Sequence, residues 1–145
     1  METSEDLCQL PLPRRLPHVA SRPGTLGLGE VGEALAADHL VQAHHAIVLD
    51  RNWRVAAGRV RGELDIVVLE EATATLVVCE VKTRRDAQRF GGAVAAISPG
   101  KRAQVRRLTA AYLQQQARHH RHVRLDVIAV DLGPAPTLTH YAGAL

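Results

Sequence analysis

Apolar and polar residues alternate along the chain with two different periods, which predict two helices and five short strands. Apolar residues recur at helical spacing over residues 28–41, so this segment is predicted to form a helix. A second helix is predicted from residue 99 to about residue 113, because Ser98 is a good N-cap and Pro99 suits the first helical position. Runs rich in Val, Ile and Leu predict the strands, which lie at residues 47–49, 52–55, 64–69, 76–81 and 123–130.

This order of elements, with an apolar hairpin in the middle, predicts an α/β fold in which a central mixed β-sheet is flanked by helices. The expected domain covers residues 25–131. Four of the seven prolines fall within residues 1–24, which are expected to be a disordered leader. Residues 132–145 are expected to be an irregular C-terminal tail with room for one edge strand.

The composition excludes several classes of protein. With 46% apolar and 23% charged residues, the chain has the composition of one soluble domain. No run approaches the ~20 consecutive apolar residues of a membrane-spanning helix, and the first residues lack the apolar stretch of a secretory signal. Cys8 and Cys79 are too few for a disulfide framework or a zinc cluster. We therefore expect a cytoplasmic protein with no membrane partner.

Charge is distributed unevenly along the chain. Residues 1–80 hold 7 arginines and 12 acidic residues, whereas residues 81–145 hold 11 basic and 3 acidic residues. This basic half favours a polyanionic partner, although a solvated surface in an arginine-rich proteome explains it equally well. Of the 18 basic residues, only Lys82 and Lys101 are lysines. Both are candidate functional residues, because a compact ammonium approaches a water or a phosphate oxygen in a way that a guanidinium does not.

The central hairpin carries the residues of greatest chemical interest. We assume that its strands pair symmetrically about the middle of residues 70–75. Asp65 then lies opposite Glu80. Glu63 in turn lies opposite Lys82, and the period of two places all four side chains on one face of a buried hairpin. The same register predicts the remaining pairs, which are Val67 with Val78 and Leu69 with Leu76 on this face, and Leu64 with Val81, Ile66 with Cys79 and Val68 with Val77 on the other.

Two buried carboxylates that face each other repel, and each also loses its hydration. A divalent cation between Asp65 and Glu80 removes this conflict, because hard ions prefer carboxylate oxygens. With Mg²⁺ or Mn²⁺ held there, Lys82 is placed to position an attacking water and to stabilise developing negative charge. This arrangement suits hydrolysis of a phosphodiester. The alternative is a structural salt bridge in which Lys82 neutralises both acids.

Residues outside the hairpin are candidates for the same site. Glu33 lies near the edge of the first helix's apolar side, where it is either a third metal ligand or a first-turn glutamate that favours the helix dipole. Lys101 falls on the inward side of the second helix and in its first turn, where a cation opposes the dipole. A nucleic-acid phosphate next to Lys101 is the obvious anion to offset this unfavourable charge. Arg84, Arg102 and Arg106 complete the predicted nucleic-acid-binding set.

Several motifs follow one another in a characteristic order. They are LGEVGEALAADHL (residues 28–40), RNxR (51–54), GELDIV (62–67), CEVKTR (79–84), FG (90–91), ISPGKRAQVRRLTAAYL (97–113) and RLDV (124–127). Together they resemble the YraN family, also called uncharacterised protein family 0102, over about residues 25–130. That family is similar to archaeal Holliday junction resolvases. The resemblance implies a restriction-endonuclease-like three-layer sandwich with a PD-(D/E)xK core.

The resemblance also implies a metal-dependent nuclease-type site. Carried over by position, Asp65, Glu80 and Lys82 form its core. Glu33 matches the glutamate of the family's first helix. The chain departs from the family's pattern in two features, since residues 55–61 are a few residues longer than usual and the proline-rich leader is additional. Neither feature touches the core, although the longer segment could reshape the mouth of the site.

Three functions are consistent with these patterns. The first is Mg²⁺- or Mn²⁺-dependent cleavage of DNA, with branched or structured DNA as a candidate substrate and a homodimer as the assembly that would supply two active sites. The second is binding of nucleic acid by a protein that keeps the nuclease fold without catalysis. The third is an interaction or assembly role in which the acidic cluster is structural.

Five of the eight histidines are interpreted as solvated surface residues. They fall in two groups, the pair His44 and His45 and the set His119, His120 and His122. Adjacent histidines on a helix point about 100° apart. No cysteine or carboxylate in the sequence completes either group as a metal site.

Overall fold

The computed structural model describes residues 7–11, 27–55, 58–85 and 97–145. Within these ranges the chain forms the following elements in order: β1 (Leu7–Pro11), α1 (Leu28–His44), β2 (Ile47–Arg54), β3 (Glu63–Glu70), β4 (Thr75–Arg84), α2 (Pro99–Gln115), β5 (His122–Asp131) and β6 (Thr137–Tyr141). A short 3₁₀ turn (Glu71–Thr73) joins β3 to β4. The predicted motif at residues 90–91 and most of the predicted leader lie outside the described residues.

The described strands form one mixed sheet in the order β1-β6-β5-β4-β3-β2. β4 and β5 run parallel, and every other neighbouring pair is antiparallel. α1 packs on one face of the sheet, over a core that includes Ile66 and Val77. α2 forms the crossover between the parallel strands and packs on the other face, over Val67 and Val78. The predicted three-layer α/β sandwich with a central mixed sheet is therefore confirmed.

The register of the central hairpin follows the predicted symmetric pairing over most of its length. The paired positions run from Ile66 with Cys79 to Glu70 with Thr75. Both faces of this stretch are apolar and buried, so a slip of one residue would exchange the two cores. The assumption of symmetric pairing about the middle of residues 70–75 is therefore confirmed for this stretch.

β3 and β4 no longer pair with each other at the start of β3. There the strand pairs with β2, with Leu64 opposite Trp53, and Leu64 packs in the core under α2. The predicted pairs of Leu64 with Val81 and of Asp65 with Glu80 are outside the β3–β4 ladder. The prediction assumed a regular pleat along the whole hairpin, and β3 instead turns away from β4 before the hairpin's open end.

The other predicted elements differ from the structure in their extent. α1 ends at His44, three residues beyond the predicted end, and α2 ends at Gln115. The two short strands predicted at residues 47–49 and 52–55 form the single strand β2, with a register shift between Val48 and Asp50. No helix among the described residues is long and apolar enough to cross a membrane.

The sheet extends further towards both ends of the chain than predicted. β6 pairs with β5 inside the expected irregular tail, at the place left for an edge strand. β1 pairs with β6 and consists of five residues of the expected disordered leader. That expectation is therefore wrong for residues 7–11. β1 is held by its antiparallel pairing with β6. Pro11 is tolerated because β1 is an edge strand of the described sheet, where proline need not donate a sheet hydrogen bond.

Candidate active site

β3 and β4 separate at Asp65, whose carboxylate fills the space between them. Asp65 Oδ2 accepts a hydrogen bond of 2.8 Å from the backbone N–H of Val81. In a continuous antiparallel ladder this N–H would donate to a backbone carbonyl of the neighbouring strand. The Asp65 side chain has taken over that role. It therefore lies against the β4 backbone at Val81, beyond the last β3–β4 pair, which is Ile66 with Cys79.

The Asp65 carboxyl is only 8% exposed. Burial, and then repulsion from Glu80, raise the pKa of Asp65 to about 7, against the lowering effect of the Val81 hydrogen bond. Glu33 adds to the rise in this pKa, and Lys101 opposes it. All of these groups therefore lie within electrostatic reach of one another, and Asp65 is fully ionised at neutral pH only when more positive charge is supplied.

Glu80 on β4 is the second buried carboxylate, with 4% exposure. Its Oε1 lies 3.4 Å from Lys82 Nζ and 3.2 Å from Lys101 Nζ. Lys82 is two residues along the same strand, whereas Lys101 reaches in from α2. Within the described part of the chain, Glu80 Oε2 and Asp65 Oδ1 accept no hydrogen bond. One oxygen of each carboxylate is thus available to another ligand.

The start of α2 explains how Lys101 reaches this site. The Ser98 side chain accepts a hydrogen bond of 3.1 Å from the Lys101 backbone N–H, and Pro99 occupies the first turn, as predicted. The anion that offsets a lysine in the first turn of a helix is the Glu80 carboxylate, where the sequence suggested a phosphate. A phosphate at this position would therefore share Lys101 with Glu80.

Glu33 is brought to the site by the close approach of α1 to β4. A Cβ on Gly32 would lie 1.7 Å from Thr83 Oγ1, so only glycine permits this contact. The Glu33 carboxylate then accepts a hydrogen bond of 3.0 Å from Asn52 Nδ2, and it lies 3.7 Å from Arg51 Nη2. Two residues of β2 thus orient Glu33 towards the buried carboxylates.

Three carboxylates and two ammonium groups converge here from α1, β3, β4 and α2. An oxygen-rich set of ligands suits a hard divalent cation such as Mg²⁺ or Mn²⁺. A cation between these carboxylates would relieve the repulsion that raises the pKa of Asp65. The structure therefore brings together five sequence-predicted residues, which are Glu33, Asp65, Glu80, Lys82 and Lys101.

An open cavity of about 520 Å³ reaches the site at Lys101, whose ammonium contacts Glu80 Oε1. Three cations line it, Arg54, Arg61 and Lys101, together with Glu63. Gln104 of α2 closes one side by donating a hydrogen bond of 2.7 Å to the Arg61 carbonyl. The excess of positive charge makes this cavity suitable for an anionic group placed next to the buried carboxylates.

Comparison with known proteins identifies the family. The family model described as "Uncharacterised protein family UPF0102" matches residues 32–130, which is more than half of the chain. The chain belongs to the UPF0102 family. This finding agrees with the resemblance drawn from the ordered motifs.

Relatives that carry the name UPF0102 protein cover most of the chain. The protein from Mycolicibacterium gilvum (strain PYR-GCK) is 44% identical over 119 residues, which are 81% of this chain and 92% of the relative. The protein from Mycobacterium avium (strain 104) is 43% identical over 118 residues, which are 80% and 88% of the two chains. The protein from Mycobacterium tuberculosis (strain ATCC 25177 / H37Ra) is 41% identical over 121 residues, which are 80% and 90%.

In this UPF0102 protein the three arginines predicted to bind nucleic acid have different surroundings. Arg102 Nη1 donates a hydrogen bond of 2.6 Å to the Ala144 carbonyl and so secures the C-terminal segment. Arg106 is exposed on α2, and Arg84 is half-buried at the end of β4. The structure therefore places Lys101 at the carboxylates, whereas Arg102 and Arg106 lie one helical turn apart on α2 and Arg84 lies at the end of β4.

Two further residues of the UPF0102 site differ from the sequence-based assignment. Glu63 was predicted opposite Lys82, but it accepts a hydrogen bond of 2.8 Å from Arg54 Nε across the β2–β3 pair. Asn52 was given no role, although it binds Glu33. The backbone explains why asparagine occupies this position. Asn52 has a φ of 49°, a left-handed conformation that asparagine adopts more readily than most residues.

Proposed function

We propose that this UPF0102 protein is a metal-dependent nuclease-like protein of the restriction-endonuclease type that hydrolyses phosphodiesters in DNA. One observation carries the proposal. Two buried carboxylates, Asp65 and Glu80, meet two lysines where adjacent strands of the sheet separate. A purely structural cluster of this kind would be more stable with apolar residues of similar size.

Glu33, Asp65 and Glu80 would hold Mg²⁺ or Mn²⁺. When bound, the ion would polarise a phosphoryl oxygen and lower the pKa of a coordinated water. Lys82 holds its ammonium 3.4 Å from Glu80 Oε1, from where it can position the attacking water and offset the negative charge that develops on the phosphate. Lys101 can offset the same charge, because its ammonium contacts the same oxygen of Glu80.

The cavity beside the carboxylates favours a polyanionic substrate. Arg54, Arg61 and Lys101 line it. One phosphate of the DNA backbone would contact these cations while the adjacent phosphate binds the metal ion. Backbone phosphates bound in this way give affinity without sequence preference. Branched or structured DNA is the proposed substrate class, and a homodimer on such DNA would present two active sites.

The test is cleavage of labelled DNA by the purified full-length protein. Duplex, flapped and branched substrates are incubated with Mg²⁺, Mn²⁺ or a chelator, beside the variants Asp65→Asn and Lys82→Ala. Glu71→Gln is the matched control, because it removes an exposed carboxylate from the turn between the same two strands. We expect metal-dependent cleavage by the wild type and Glu71→Gln only. Equal cleavage by Asp65→Asn and Lys82→Ala would contradict the proposal.

The geometry also favours a second function, which is binding of nucleic acid without catalysis. Lys82 and Lys101 both contact the same oxygen of Glu80, so that carboxylate is neutralised without any metal. In this case DNA binding would weaken with salt and would be unaffected by Lys82→Ala. Gel-shift titrations read together with the cleavage assay separate the two functions, because DNA binding without metal-dependent cleavage by the wild type is expected only for the second.

A further inference from the structure

Another group of titratable side chains lies at the opposite end of β3, under the last turns of α1. Its centre is the histidine cluster, which consists of His39 and His44 of α1 and His140 of β6. The ring centroids lie 4.9–5.2 Å apart, and every pair of rings is edge-to-face. His39 is 9% and His140 2% exposed. His44, predicted to be a solvated surface residue, has a side chain that is 32% exposed and packs edge-to-face against both buried rings.

Hydrogen bonds fix the orientation of the His140 ring. His140 Nε2 lies 2.8 Å from Asp126 Oδ2, and a carboxylate acceptor requires this nitrogen to carry the proton. The lone pair of His140 Nδ1 then faces His39 Nε2, which is 3.1 Å away. Metal-binding histidines are commonly held in this way, with a carboxylate on the nitrogen that does not bind the metal.

The distances within the histidine cluster suit an ion bound through nitrogen. Zn–N bonds of about 2.0–2.1 Å place two tetrahedral ligands roughly 3.3 Å apart, and the nitrogens of His39 and His140 are already 3.1 Å apart. The ligand nitrogens of all three histidines lie within 4.8 Å of one another. His44 can close the remaining distance, because its side chain is 32% exposed and makes no hydrogen bond within the described residues.

The charges around the histidine cluster favour a cation. Glu70 and Asp126 contribute two negative charges, and Arg124 contributes one positive charge while bridging them at 2.8 and 2.9 Å. Glu70 Oε1 also lies 3.7 Å from His44 Nδ1. In addition, His44 lies in the last turn of α1, at the negative end of the helix dipole. With neutral imidazoles the group carries a net negative charge that a divalent ion would offset.

We propose that the histidine cluster binds a borderline divalent transition-metal ion, and that Zn²⁺ fits it best. His39 Nε2, His140 Nδ1 and one nitrogen of His44 supply three ligands, and Glu70 or a water supplies the fourth. His39 takes the tautomer with its proton on Nδ1 when the ion binds, so no proton need be released. The ion would join β6 to α1, and thereby attach the last strand in chain order to the first helix.

This site is separate from the carboxylates at Asp65 and Glu80. Glu70 lies five residues along β3 from Asp65, which is about 16 Å of extended strand. The two sites also select different ions. Nitrogen ligands favour Zn²⁺, whereas a site made of carboxylates favours Mg²⁺ or Mn²⁺. Loss of one site should therefore leave the other intact.

The experiment is calorimetric titration of the full-length, chelator-stripped protein with Zn²⁺, followed by Co²⁺ titration with visible absorption to report tetrahedral coordination. His44→Ala removes the most exposed ligand. His45→Asn is the matched control, since residue 45 has a φ of 49° that asparagine tolerates. The double variant Asp65→Asn/Glu80→Gln removes the other candidate site. Melting curves recorded without metal establish that each variant is folded.

We expect the wild type, His45→Asn and the double variant to bind one Zn²⁺ with the same affinity, and His44→Ala to bind at least about 100-fold more weakly. Side-chain nitrogen NMR of the wild type gives a test that needs no variant. Zn²⁺ should shift the ring signals of His39, His44 and His140 and leave exposed His119 unchanged. Equal Zn²⁺ affinity in His44→Ala, or loss of binding in the double variant alone, would overturn the proposal.

Discussion

At the scale of single residues, Asp65 determines how the site responds to pH. Its pKa is raised to about 7, first by burial and then by Glu80, whereas an unfolded chain has the ordinary value of 3.8. Between these values the folded protein holds a proton that the unfolded chain has released. Stability therefore falls as pH rises through this range, by up to about 1.4 kcal/mol per pH unit, and levels off above pH 7.

Asp65→Asn should remove this dependence. The variant keeps an oxygen that accepts the Val81 N–H, so in metal-free buffer we expect it to be more stable than the wild type at pH 8 and close to it at pH 4. Urea unfolding at the two pH values measures the difference. Mn²⁺ should stabilise only the wild type, by about 2.7 kcal/mol at a concentration 100 times the dissociation constant. A difference between the two proteins that does not change with pH would show that Asp65 is ionised throughout.

Asn52 has two roles that substitutions can separate. Its side chain binds Glu33, and its backbone has a left-handed φ of 49°. Asn52→Gly keeps the backbone conformation and loses the amide, whereas Asn52→Ala loses both. We expect both variants to bind Mn²⁺ more weakly, because Glu33 is released, and only Asn52→Ala to lose about 1 kcal/mol or more of stability. Titration with Mn²⁺ measures the metal affinity, and urea unfolding measures the stability. If Asn52→Gly binds Mn²⁺ as tightly as the wild type, Glu33 is not a metal ligand.

At the scale of elements, the contact between α1 and β4 sets the position of Glu33. Gly32→Ala would place a methyl group 1.7 Å from Thr83 Oγ1, so we expect a loss of about 1–3 kcal/mol from overpacking and weaker Mn²⁺ binding. Gly29→Ala is the matched control. Nothing lies within 4 Å of a Cβ there, so the higher helix propensity of alanine should stabilise α1 by up to about 1 kcal/mol. Equal changes in the melting temperature of Gly32→Ala and Gly29→Ala would argue against a close contact between Gly32 and Thr83.

The elements show why part of the site was predictable from the sequence. The hairpin register from Ile66 to Glu70 follows from the assumed symmetric pairing about the turn, and the start of α2 follows from Ser98 and Pro99. Sequence patterns predicted that Lys101 needs an anion. They could not identify Glu80 as that anion, because the contact depends on how the helix is placed against β4. The separation of the strands at Asp65 was missed because alternation assumes an unbroken ladder.

At the scale of the whole molecule, Arg124 connects parts of the fold that are distant in sequence. Its guanidinium binds Glu70 on β3 and Asp126 on β5, and Asp126 in turn binds His140 on β6. Hydrogen bonds from His140, then from Arg124 and the Gly143 N–H, lower the pKa of Asp126 against the opposing effect of burial, which is the largest influence on this group. None of this network was predicted, since its members extend from Glu70 to Gly143 in the sequence.

Arg124→Met should therefore destabilise the whole fold. The methionine keeps an apolar stem but leaves Asp126, which is fully buried, without its cationic partner. We expect a loss of about 3–5 kcal/mol in urea unfolding at pH 7. Arg121→Met, at an exposed position just before β5, should change stability by less than about 0.5 kcal/mol. A similarly small change in Arg124→Met would mean that other contacts hold Asp126.

The separation of β3 and β4 also gives the site an internal spectroscopic probe. The Val81 amide proton points at a carboxylate that titrates near neutrality, whereas the amides of a regular ladder point at carbonyls that do not titrate. Its chemical shift and its rate of exchange with solvent should therefore follow the ionisation of Asp65. A single resonance of the polypeptide backbone would report each proton or ion that reaches the buried carboxylates.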